Sequence, residues 1–359
     1  MGLGAARAAS LSRVRRPLRV TGALLVAVAV AALIPLPAAA GSAGAGAAMS
    51  AANTHNPRAR AAQSPQEAGC PIFPVDNPLN QDISQAPVDP SSARYIDSIG
   101  ASWRLHASFS DTPMYGIPYS IVGPQQPQVP MRFIYSRSES EPGPYPIPLN
   151  APIEGNGNPG DHHVLVLQTG TCKLFELYAA RRRAGRWEAG SGAVFNLRSN
   201  ALRPDGWTSA DAAGLPIFPL LARYPEASKG SINHALRVTV PRTQRGYIHP
   251  ATHFSSSSND PSLPPMGLRL RLKASFNLSG FHGQALIVLQ ALKRYGLIVA
   301  DNGGPWNIGG SSNPGWSDRD LQQLERVPGS AFEAISSGRI LHGGPAPRRS
   351  RHHHHRRRR

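Results

Sequence analysis

Proline occupies 35 of the 359 positions and glycine another 35. Proline at that level is roughly twice its usual share. Each proline lacks a backbone N–H and fixes φ, so it ends helices and is barred from the interior of a β-ladder. Regular elements in such a chain must be short and joined by many turns. Short strand patterns broken by Pro and Gly run from Trp103 to Leu197. The expectation is a mainly β protein: a β-sandwich or jelly-roll-like single domain with a few short helices.

The two ends differ from the rest. Residues 1–40 read as a signal peptide. Arg13, Arg15, Arg16 and Arg19 precede an apolar run at 23–34, and Ala38-Ala39-Ala40 gives a small-residue cleavage pattern. Residues 41–69 are rich in Ala, Gly, Ser, Asn and Pro and read as a disordered linker. A globular domain is expected over 70–342, then an Arg/His-rich disordered tail over 343–359. Five of the 38 Lys and Arg lie before residue 41 and seven beyond residue 347, which leaves 26 against 21 acids in the body. The formal charge of +17 thus falls to +5 for the body. That excludes the basic pI as a footprint of specific nucleic-acid binding. An extracellular location is expected, with no membrane span once the signal is removed. Cys70 and Cys172 are the two cysteines. In an exported chain with an even count, pairing is the default. The link would close a loop of about 100 residues, worth up to roughly 4–5 kcal/mol in the chain-entropy model.

The densest stretch runs from His234 to Gly303. Leu268, Leu270, Leu272, Ala274, Phe276 and Leu278 alternate with Arg269, Arg271, Lys273, Ser275 and Asn277. Period 2 predicts a strand over 266–278 with one buried face and one cationic face. Leu236, Val238 and Val240 make a second strand. If the two strands pair, Arg237 joins the same basic face. That face is either a solvated sheet surface or a groove for an acidic ligand such as a uronate-bearing glycan. The loop between the strands carries Arg242, Arg245, Tyr247, His249 and His253. His and Tyr can exchange protons, and Arg can hold a carboxylate. A helix follows over 281–295, with Ser279 as candidate N-cap and Gly296 as stop. A buried strand over 297–300 then ends at Asp301-Asn302. Elsewhere, Trp207 lies in a polar segment and can stack on a sugar ring. Asp161-His162-His163 projects its two His to opposite faces, so no metal site is expected there, and no cofactor is implied.

Several longer strings carry a resemblance. HALRVTVPRTQ, PSLPPMGLRLRLKASF, QALKRYGLIVADNG and VPGSAFE, with FPVDNPLNQDIS, YGIPYSIV, GPYPIP and NLRSNALRPDGWTSADAAGLPI before them, resemble a family of secreted bacterial β-rich proteins. The resemblance spans roughly Cys70 to Phe332. It implies export and one β-rich body, and it brings no substrate or catalytic residue to this chain. Leu79 and Asn307 stand where the family pattern would have aromatic residues.

No P-loop, GxSxG, HExxH, CxxC or paired-carboxylate motif occurs. Three readings are compatible with the residues. The first is an enzyme cleaving an acidic extracellular polysaccharide. Arg237, Arg242, Arg269, Arg271, Lys273, Asn302 and Trp207 would bind substrate, and Tyr247, His249 or His253 would move the proton. This is lyase-like chemistry, with hydrolysis through Glu176 or Asp301 as a variant. The second is a non-catalytic carbohydrate-binding or cell-wall-associated protein using the same face. The third is a structural surface protein, in which these side chains meet in no cleft.

Overall fold

The computed structural model describes residues 64–343, Pro113 excepted. The signal peptide expected at 1–40, most of the linker and the Arg/His-rich tail beyond Gly343 lie outside the described residues. The end of the linker belongs to the fold. Gln66–Glu67 pairs antiparallel with Cys70–Pro71, and Ile72 N donates to Pro65 O at 2.7 Å. The body therefore begins ahead of Cys70, a correction to the expected boundary. Cys70 and Cys172 are disulfide-bonded, with 5.4 Å between their Cα atoms. Among the described residues, no helix is long and apolar enough to cross a membrane.

The body is mainly β with a few short helices, as the sequence predicts. No described strand exceeds six residues. Three sheets organise it. A four-stranded sheet has the order Ser191–Asn196, Lys173–Tyr178, Val164–Gln168, Tyr119–Val122. A six-stranded sheet has the order Phe332–Ala334, Arg269–Leu272, Leu297–Asn302, Leu236–Val240, Asn307–Ile308, His106–Ala107. A three-stranded sheet has the order Met131–Phe133, Arg186–Ala189, Arg181–Arg183. Each is mixed, whereas a jelly roll is built from antiparallel pairs. Leu236–Val240 runs parallel to Leu297–Asn302, Tyr119–Val122 parallel to Val164–Gln168, and Met131–Phe133 parallel to Arg186–Ala189.

The four-stranded sheet is covered on both faces, and its sequence shows why. Val164–Gln168 reads VLVLQ and is buried throughout. Val164 and Val166 enter a small core with Tyr145, Ile147 and Trp187 under the three-stranded sheet. Leu165 and Leu167 enter the large core shared with the six-stranded sheet. Alternation between two apolar interiors gives a continuous apolar run rather than a polar–apolar one. The hairpin expected around Gly170-Thr171-Cys172 is present, with Leu165 opposite Glu176 and Val164 opposite Leu177.

Helix Gly283–Arg294 packs against Arg269–Leu272 with Ala285, Val288, Leu289 and Leu292 buried. Its N-cap is His282 rather than Ser279. The strand expected over 266–278 is confined to Arg269–Leu272. Its edge partner, Phe332–Ala334, ends opposite Leu272, so no ladder exists beyond that point. The chain turns instead, with Phe276 N bonding Lys273 O at 3.0 Å.

Candidate functional site

The alternation argument identified the right neighbours and the wrong environment. Arg237 and Arg269 both pair with Ile298, so they share one sheet face, and Arg271 follows two residues along. That face is covered. Arg269 donates to Pro78 O at 2.7 Å and to Tyr295 O at 2.6 Å, at the negative end of helix Gly283–Arg294. It faces no carboxylate among the described residues, and burial pulls its pKa down to about 10. Arg271 donates to Glu333 Oε1 and to the carbonyls of Ile83 and Ala86. Arg237 holds Asp211 in a fork, Nε to Oδ2 and Nη2 to Oδ1, both at 3.0 Å. All three guanidiniums are buried and engaged. Segments 78–86 and 208–213 lie where the sequence reading puts a ligand. Lys273 Nζ donates to Ser330 O at 2.8 Å, outside the short strand.

The proton-transfer candidates are likewise dispersed. Tyr247 is fully buried and donates to Gly343 O at 3.0 Å. Burial and the charge of Asp205 push its phenol up to about 12. It cannot supply a base near neutral pH in that setting, so the proton-transfer role expected of it is corrected. His249 Nε2 lies 2.7 Å from Asp205 Oδ1 on the surface. Arg242 is exposed. Trp207 is partly covered by Arg203, whose guanidinium sits 5.5 Å from the indole centre. Arg203 is itself buried, clamped on Glu141 and on the carbonyls of Thr208 and Glu139. Of the expected set, His253 and Asn302 line one common cavity, together with Asp301 of the hydrolytic variant.

That cavity, of about 340 Å³, opens at the seam between the four- and six-stranded sheets. Asp301 and Asn302 enter it from the end of Leu297–Asn302. A register shift sets Val238 opposite Val299 but Thr239 opposite Asp301, leaving Ala300 as an extra residue. Such a bulge re-aims the side chain that follows it. The bulge also supplies an anchor, because Ala213 N donates to Ala300 O at 3.0 Å. The turn bearing Asp211 is thereby tied to the strand bearing Asp301. Thr252 N and His253 N both donate to Ala213 O, which brings His253 to the same place. From the four-stranded sheet come Tyr178 and Ser191, Asp161 joins them from the segment ahead of Val164–Gln168, and Tyr135 also lines the cavity.

The charges in this seam are unequal. Asp211 has a fully buried side chain neutralised by Arg237. Asp301 forms no ion pair among the described residues, and the Arg237 charge only partly offsets its burial. Its Oδ1 accepts from Asn302 N at 2.7 Å. Burial first, and the Asp211 charge second, push its carboxyl up to about 7. Behind Asp211 stands a second pair. His163 is buried, with Nδ1 2.6 Å from Glu154 Oε2 and Nε2 3.1 Å from Ala210 O. Both neighbours are acceptors, which suits the imidazolium. Burial pulls the ring pKa down, but the Glu154 hydrogen bond and charge outweigh it and hold it above the ordinary value. Glu176, on the same sheet face as Tyr178, is sealed under Ile217 N and Phe218 N. Burial pushes it up to about 7, but it does not line the cavity.

The arrangement can move protons. Asp301 is poised to hold or release one near neutrality, the range in which a general acid or base works best. The His253 Nδ1–H donates to Ala212 O at 2.8 Å, which leaves Nε2 as an acceptor in the neutral ring. Asp211 supplies a fixed negative charge, and the hydroxyls of Tyr178, Tyr135 and Ser255 line the walls. Asp161, Asp211, Tyr178 and Tyr135 were not identified as site residues from the sequence. Asp211 and Asp301 are 90 positions apart, and no short motif links them. No protein family, curated protein or solved structure matches the chain in comparisons with known proteins.

Proposed function

We infer that this protein is a secreted carbohydrate-active enzyme that hydrolyses a glycosidic bond of an extracellular polysaccharide in the Asp301 cleft. The observation that carries this reading is one cavity holding a carboxyl group in no ion pair among the described residues, an ion-paired carboxylate and a His with an open acceptor nitrogen. In this reading the protonated Asp301 donates to the leaving glycosidic oxygen as the C–O bond breaks. Water adds to the anomeric carbon, and its surplus proton passes to His253 Nε2. Asp211 stabilises the positive charge that develops on the sugar ring. The hydroxyl-lined walls and the Tyr135 and Tyr178 rings suit a sugar. The four- and six-stranded sheets then act as the two leaves of a sandwich-like scaffold with the site at their seam. Hydrolysis takes precedence over elimination because Arg237, Arg269 and Arg271, the groups that hold the carboxylate in a lyase reading, are buried and bonded within the fold, and of its three candidate bases only His253 lines the cleft.

The test is a screen of the protein and Asp301→Asn against neutral and acidic polysaccharides. New reducing ends, absorbance near 235 nm and retention in affinity gels are recorded together. Hydrolysis predicts reducing ends without the 235 nm signal, and a loss of roughly 100-fold or more in Asp301→Asn. A 235 nm signal would restore the lyase reading. Retention without product would make the protein a carbohydrate-binding module. An Asp301→Asn variant as active as the parent overturns the assignment of the cleft.

A further inference from the structure

The solvent face of the three-stranded sheet concentrates positive charge. In register, Arg132 lies beside Glu188 and Glu188 beside Arg181, while Arg183 lies opposite Arg186. On the alternate row, Trp187 is fully buried with Nε1 bonded to Ile147 O at 3.2 Å, Met131 is half-buried, and Arg182 is exposed with Nη2 donating to Ala151 O at 2.6 Å. The outer row therefore carries four Arg against one acid, where the whole body has an excess of only +5. Glu188 is shared between Arg132 at 3.0 Å and Arg183 at 3.4 Å. Arg181 and Arg186 are exposed and have no acidic partner among the described residues.

Stability alone does not favour this arrangement. Like charges directly opposite each other in a ladder repel. A local rule broken without compensation within the fold points to a partner outside it. The cations also adjoin the cleft. His162, next to the cleft residue Asp161, lines a cavity of about 460 Å³ with Arg181 and Arg182. Ile134, next to the cleft residue Tyr135, lines another of about 930 Å³ with Arg132 and Arg137.

We propose that this sheet face binds the carboxylates of an acidic glycan whose chain continues into the Asp301 cleft. The proposal rests on the polysaccharide reading of the cleft and adds the class of polymer. Arg presents a planar fork that matches a carboxylate, and the two Arg without acidic partners, Arg181 and Arg186, are the principal contacts. The basic binding surface is thus the hairpin around Arg181–Arg186, not the buried row of Arg237, Arg269 and Arg271.

The test uses the full chain with the seven Arg of residues 348–359 changed to Ser, so that their charge does not mask the sheet. Affinity electrophoresis in gels containing polygalacturonate, dextran or duplex DNA compares this protein with its R181S/R186S and D301N derivatives. Retention by polygalacturonate and not by dextran is expected. R181S/R186S should bind polygalacturonate roughly fivefold more weakly, the scale of two surface charge contacts. D301N should be retained like the parent. Where polygalacturonate is cleaved, R181S/R186S raises KM and leaves kcat unchanged. Equal retention of parent and R181S/R186S, or no retention by polygalacturonate, overturns the proposal. Duplex DNA retained as strongly, with the same loss in R181S/R186S, would also overturn it in favour of a nucleic-acid surface. Retention with the expected loss but no cleavage of any polymer would leave the surface standing and remove the enzymatic reading.

Discussion

Two sheets of this protein carry arginines in period 2, and the two sets meet opposite fates. In the six-stranded sheet, Arg237, Arg269 and Arg271 are buried and bonded to a carboxylate or to backbone carbonyls. In the three-stranded sheet, Arg181, Arg183 and Arg186 stand in water, and only Arg183 touches an acid. The residue type and the alternation are the same. What differs is the chain that lies over each face. Segments 78–86 and 208–213 cover the first, and none of their groups bonds the cations of the second. A buried guanidinium is held by its partners and in turn holds them. An exposed one is nearly neutral for folding and is left for binding.

Removing Arg237 should break this comparison most visibly. Arg237→Leu leaves Asp211 buried without its counter-charge, a situation that costs about 3–5 kcal/mol. The urea midpoint should fall accordingly, and activity should fall with it, because Asp211 lines the cleft. Arg269→Leu strands only the carbonyls of Pro78 and Tyr295, so about 1–3 kcal/mol is expected. Equal losses in the two variants would mean that the Arg237–Asp211 pair adds nothing beyond ordinary hydrogen bonding.

The contrast also explains how much was legible in the sequence. Pattern identified the faces. Leu236–Val240, Leu297–Asn302 and helix Gly283–Arg294 lie close to where periodicity puts them, and Arg237 shares a face with Arg269. The disulfide is the one expected from an even cysteine count in a chain read as exported. Pattern did not reveal coverage, because whether a polar face is wet depends on remote chain, here residues 78–86 and 208–213. Nor did it identify the cleft. The sequence offers Asp301 as a hydrolytic candidate at a strand end, beside Glu176, and nothing in it sets Asp301 against Asp211. Their meeting depends on the bulge at Ala300 and on the Ala213–Ala300 hydrogen bond, neither of which has a residue-type signature. His253 alone of the three proton-transfer candidates reaches the cavity, since His249 is held by Asp205 and Tyr247 by the Gly343 carbonyl.

Asp301 sharpens the comparison from the acidic side, as a buried carboxyl that lacks what Asp211 has. Its pKa rises from the ordinary 3.8 to about 7. Between those values the folded state binds a proton that the unfolded state has released. Stability therefore falls as pH rises through that window, and the full cost is present above pH 7. Asp301→Asn removes the titration. Its stability advantage over the parent should be near zero at pH 4 and should grow to about 2 kcal/mol at pH 8, allowing for water at the cleft mouth. Urea titrations at the two pH values test this. A constant difference would mean that Asp301 is ionised throughout and cannot serve as the proton donor.

The smallest expected effect belongs to the exposed row and is the most diagnostic. Arg186→Ser should change the urea midpoint by no more than the equivalent of about 0.5 kcal/mol, and the sign should be stabilising. Arg186 faces Arg183 directly across the hairpin, and no acid among the described residues holds it. Its removal relieves a like-charge pair without stranding any group. Salt separates this account from a chance gain. Raising the ionic strength screens the repulsion within a Debye length, about 10 Å at 0.1 M. The parent should therefore gain stability with added salt, and Arg186→Ser should gain less, so that the two midpoints converge. If Arg186→Ser is instead destabilised at every salt concentration, Arg186 is bonded within the fold like Arg237. The two sheets would then use arginine in the same way, and the exposed face would have nothing left to offer a ligand.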